Sequence, residues 1–171
     1  HRRRLSFPTR RSSDLVVREP LTPRERKRGI VAKGRLPSQA SHNGRRAFVR
    51  LFMWRSAEDM LRANPCQPKG TAAFFRPNNR GHRLGDAHWP LEWATLETVA
   101  HELTHALTHR ILRYGPDARD VISQRANGEA GHGKRRHFFG RADEEIAYEM
   151  GRWVFNAYLW VITELRKRGL V

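Results

Sequence analysis

The sequence predicts an α+β fold, a small sheet of about three strands with two substantial helices against it. Three observations carry that reading. Short runs rich in aromatic and branched residues, at 47–54, 71–75 and 82–89, read as strands. Leu96, Val99, Ala100, Leu103, Leu107 and Ile111 recur at three- and four-residue steps, as on one side of a helix. A last long segment opens on Asp143-Glu144-Glu145 and closes on Arg166-Lys167-Arg168, the charge order that a helix dipole favours.

Within the first part of this core, Ser56 can cap a short helix from Ala57 to Ala63, with Glu58 and Asp59 in its first turn. Asn64-Pro65 ends it. Pro77-Asn78-Asn79-Arg80-Gly81 is turn chemistry, so the strands on either side of it form a hairpin. The stretch His82–Trp89 is expected at the sheet edge, where an extended peptide could add to it as a further strand. The next helix runs from a Thr95 cap to about Arg113, and Gly115-Pro116 stops it. Residues 116–140 read as a polar, basic connector, and the last helix as running from about Ala142 to Lys167.

The chain has 171 residues and a formal net charge of +16. That length suits one domain, and the charge suggests a polyanionic partner such as nucleic acid. Ser6 to Leu15 reads as the conceptual translation of a common sequencing adapter, which would make residues 1–15 an assembly artefact. Setting those residues aside leaves a net charge of +12. Residues 16–45 carry Arg24-Glu25-Arg26-Lys27-Arg28 with many Pro, Gly and Ser and no apolar period. They read as a flexible basic arm, the expected route to any nucleic-acid contact, ahead of a single domain at 46–171. Cys66 is the single cysteine, so no internal disulfide can form. No apolar run is long enough to span a bilayer and no leader-like segment is visible, so a cytoplasmic protein without a membrane partner is expected. Oligomeric state is not legible.

The chemistry concentrates in His101-Glu102-Leu103-Thr104-His105. Residues four apart on a helix stand one above the other, so two imidazoles face the same way and can share one metal ion. Zn²⁺ suits such a site because it accepts imidazole and carboxylate and keeps one position for water. Its charge lowers the pKa of that water to about 7, and Glu102, one residue round the helix, is placed to act as general base. The apolar side of this helix lies roughly opposite the two histidines.

This stretch resembles the active-site helix of the zincin metallopeptidases. The resemblance implies a minimal zincin fold, Zn²⁺ as cofactor, and a protein or peptide as substrate. A third protein ligand is then needed. Thr108 and Ile111 stand where the metzincin pattern has Gly and His, so that branch is set aside. His109 follows one turn after His105, but three successive turns of a straight helix do not converge on one ion. On the last helix, Glu145, Glu149, Arg152 and Asn156 read as a solvated face opposite an apolar stripe. Glu144 falls at the border, beside Ala147, Tyr148, Gly151 and Phe155, where small residues permit close approach of another helix. Glu144-Glu145-Ile146-Ala147-Tyr148 is similar to the third-ligand helix of gluzincins, which implies Glu144 as the metal ligand beside His101 and His105. The rival is His132 in Gly131-His132-Gly133, which resembles an element of SprT-like proteases acting on DNA-bound proteins. On that alternative the chain is a SprT-like DNA-associated protease, or a basic nucleic-acid-associated protein with a zinc site, and His132 is the third ligand. Tyr148, His132 and His137 are candidates to stabilise the oxyanion.

Overall fold

The computed structural model describes residues 15–42, 44–114 and 135–171, with side chains described outside 39–42, 112–114 and 135–148. The fold is α+β. Its sheet has five strands rather than about three: β1 (Val17–Arg18), β2 (Ile30–His42), β3 (Arg45–Trp54), β4 (Phe74–Pro77) and β5 (Arg83–Pro90). The order is β1-β2-β3-β5-β4, antiparallel except for the β3–β5 pair. The helices are α1 (Pro23–Lys27), α2 (Ala57–Ala63), α3 (Leu96–Tyr114) and α4 (Arg135–Arg166). Among the described residues, no helix is long and apolar enough to cross a membrane.

The two added strands come from the segment expected as a flexible arm. Its described residues are folded, supplying β1, α1 and β2, so order begins well before Ala47. The reason lies in how β2 hides its alternation. Ala32 and Leu36 are buried on one face, whereas Lys33 and Arg35 stand on the other and meet acids. Lys33 Nζ lies 3.0 Å from Glu25, and Arg35 pairs with Glu19. Gly29 makes the turn into β2 at φ 93°, and a Cβ there would come within 2.6 Å of the Asp59 carboxylate. Only glycine fits both demands.

One sheet face carries the main core. Val49, Leu51 and Met53 of β3 and Ala87 and Trp89 of β5 pack against Val99, Leu103, Ala106 and Leu107 of α3. Trp153, Ala157, Trp160 and Val161 of α4 complete it. The opposite face has a smaller core of Ile30, Phe52, Trp54, Met60 and Phe74. Arginines roof the rings there: Arg35 lies 4.5 Å from the Phe48 centroid, Arg50 5.1 Å from Phe52 and Arg76 5.7 Å from Phe74. A guanidinium stacked on a ring covers apolar area while its edge stays wet.

Two further expectations are corrected. The strand at 82–89 is not an edge: β5 lies between β3 and β4, and the short β4 is the edge. The face of α4 read as solvated is not so at its described residues: Glu149 and Asn156 are buried and Arg152 is half-buried. Glu149 is fully buried, with its carboxylate accepting from Ser38 Oγ at 2.8 Å and paired with Arg110 of α3. Phe155, by contrast, is 48% exposed, and among the described residues a Cβ built on Gly151 would meet nothing within 4 Å. Gly151 therefore does not mark a close helix contact.

Candidate functional site

Helix α3 starts where its sequence says. Thr95 Oγ1 accepts from the Thr98 N–H at 3.3 Å, and Thr98 Oγ1 accepts from the Thr95 N–H at 3.1 Å, a reciprocal cap. Val99, Leu103, Ala106 and Leu107 hold the helix to the sheet, although Leu96 is exposed and Ile111 half-buried. That seating turns His101, Thr104, His105 and Thr108 outward.

His101 and His105 meet. Their Nε2 atoms are 3.1 Å apart and their rings are edge-on, at 81° and 4.8 Å between centroids. One imidazole can donate to the other at this distance. Two nitrogens bound to one tetrahedral zinc at 2.0–2.1 Å stand about 3.3 Å apart, so the pair fits such an ion after opening by about 0.2 Å. Among the described residues, no third His, Cys, Asp or Glu joins them in a cluster of three. Glu144 belongs to α4, but its side chain, like those of Tyr148 and His137, lies outside the described residues. His132 lies outside them altogether.

Glu102 is only 4% exposed, although His101, Thr104 and His105 of the same motif face solvent. Burial pushes its carboxyl above the usual carboxylate range. The nearby imidazoles and, least of all, the Phe75 main-chain N–H pull the other way without cancelling that effect. The edge strand thus borders the residue expected as general base. Asn78 N–H pairs inward with Leu84 O at 2.8 Å, so residues 74, 76 and 78 face β5 while Phe75 and Pro77 face out. Phe75 N–H is then an outward donor of β4, on the side of Glu102.

The groove between β4 and α3 is lined by Phe74, Phe75, Pro77, His101, Glu102 and His105, with Gln67 and Pro68 at its rim. Its volume is about 560 Å³, enough for a few side chains. His109 sits at its far end, with Nε2 3.2 Å from Asn78 O and its ring tilted against Phe75. His109 therefore does not join the other two histidines. Sequence reasoning missed Phe75 and Asn78, because both act through main-chain atoms that any residue type carries. It also missed the Ser38–Glu149–Arg110 cluster, whose members are far apart in the chain.

Chemically, the site combines two imidazoles able to share an ion, a buried carboxylate beside them, and a groove walled by an edge strand. No family profile, curated protein or solved structure matches the chain.

Proposed function

We propose that the protein is a zinc-dependent metallopeptidase. The observation that carries this reading is the pair of Nε2 atoms 3.1 Å apart on α3, with the buried Glu102 next to them and a groove alongside. His101 and His105 are two ligands, and Glu144 is proposed as the third. Zinc, when bound, supplies Lewis acidity: it acidifies a water and polarises a carbonyl. Glu102 takes the proton from the attacking water and returns it to the departing amine. Its burial suits that task, because a carboxyl with a raised pKa returns a proton more readily. The groove wall, β4 rather than β5, orients an extended protein or peptide substrate. The general positive charge leaves a nucleic-acid-associated substrate within the same proposal.

The test combines metal content and turnover. Zinc stoichiometry is measured on the wild type, His101→Ala, Glu144→Ala and His132→Ala, alongside hydrolysis of a quenched-fluorescent peptide library. One zinc per chain, lost in His101→Ala and Glu144→Ala, is expected. Glu102→Gln should keep the zinc and lose at least about a hundredfold in kcat, the range of general-base catalysis. Retained hydrolysis in Glu102→Gln overturns the mechanism. Zinc lost in His132→Ala but kept in Glu144→Ala replaces the third ligand and moves the substrate search to DNA-bound proteins.

A further inference from the structure

Helix α3 carries histidines at 101, 105 and 109, each one turn from the next. The first two converge and the third departs. We infer that His109 is a positioning residue that clamps the edge strand β4 over the groove; its consequence for catalysis, though not the clamp itself, rests on the metallopeptidase reading.

The clamp has two points. One is His109 Nε2 on Asn78 O at 3.2 Å. A carbonyl only accepts, so His109 must carry its hydrogen on Nε2. The other is the His109 ring tilted against the Phe75 ring, 6.2 Å between centroids. One side chain of α3 thus meets the strand at Phe75 and at Asn78, three residues apart.

Asn78 is a good residue to hold because the whole turn is tied through it. Its Nδ2 donates to Arg80 O at 2.7 Å and to Arg83 O at 3.1 Å, and its N–H donates to Leu84 O at 2.8 Å. Fixing Asn78 fixes the β4–β5 turn. β4 is four residues long and paired on one side, and His109 adds to its hydrogen bonds to β5, to the Arg76–Asn64 hydrogen bond at 2.7 Å and to the stacking of Phe74 on His88.

The experiment is amide hydrogen exchange at residues 74–78 in the full chain, for wild type, His109→Ala and His109→Gln, with zinc stoichiometry measured on the same samples. His109→Ala should raise exchange at Asn78, whose N–H donates to Leu84 O, by about five- to tenfold, the weight of one ordinary hydrogen bond. Exchange in β3 and zinc content should not change. His109→Gln, whose amide can donate to Asn78 O, should restore most of the protection. Unchanged exchange at Asn78 in His109→Ala overturns the clamp. So does loss of zinc in that variant, which would make His109 a ligand, and so does a Gln variant no better protected than Ala, which would leave only ring packing. These readouts need no turnover, so they stand apart from failure of the peptidase assay. Where hydrolysis is observed, His109→Ala should raise KM more than it lowers kcat.

Discussion

His88 is the residue whose surroundings depart most from its ordinary chemistry. Its ring is stacked between Phe52 and Phe74, at 4.9 and 4.4 Å between centroids, and its Nδ1 accepts from Trp54 Nε1 at 3.1 Å. An accepting Nδ1 puts the hydrogen on Nε2, and that buried nitrogen has no hydrogen-bond partner among the described residues. Burial lowers the His88 pKa from 6.5 to about 3. The folded state therefore keeps it neutral where the unfolded chain would protonate it. Stability from this residue is complete above pH 6.5 and is lost as pH falls toward 3. Between pH 7 and 5 the loss is about 2 kcal/mol, in a window where carboxylates stay charged. Urea denaturation at the two pH values measures it, and in His88→Phe the difference should shrink by about that amount. A variant with the same pH dependence as wild type would place the acid sensitivity elsewhere.

Contacts between elements rest on two further positions. Arg110 of α3 and Glu149 of α4 form an ion pair in which Glu149 is fully buried, with Ser38 of β2 as a third partner. Replacing Glu149 by Ala strands a partly buried guanidinium, and breaking such a pair costs about 3–5 kcal/mol. Denaturant melts of Glu149→Ala should show a loss of that size, with the α3–α4 contact the first to exchange. Gly85 of β5 is a packing position rather than a turn. A Cβ there would come within 2.4 Å of both the Arg76 carbonyl and the Phe75 ring. Gly85→Ala should cost about 1–3 kcal/mol, as overpacking does, and should displace β4 because the obstructing carbonyl is part of it. A thermal melt of Gly85→Ala unchanged from wild type would mean that β4 yields freely.

At the scale of the molecule, what was legible depended on whether a signal was local. α2 begins and ends as read because Ser56, its own acids and Asn64-Pro65 act within a few residues. α3 was legible from its apolar recurrence, and the pairing of His101 with His105 follows from helix geometry alone. β2 was not, because its outward Lys and Arg looked like an arm until Glu19, Glu25 and the Phe48 ring appeared beside them. The same holds for Glu149: a charge on a helix looks solvated until its distant partners are known. Strand order is also a long-range property, so nothing within residues 82–89 marks β5 as an interior strand.

The edge that does exist is unusual in what it withholds. A sheet margin with free main-chain donors is a template on which another chain can grow. β4 is only four residues long, and its Pro77 has no N–H to offer. The opposite margin, β1, is two residues long. Both borders of a five-stranded sheet are thus poor seeds for edge-to-edge stacking. The strand that walls the candidate groove is therefore also one on which fibrous self-association finds little to build.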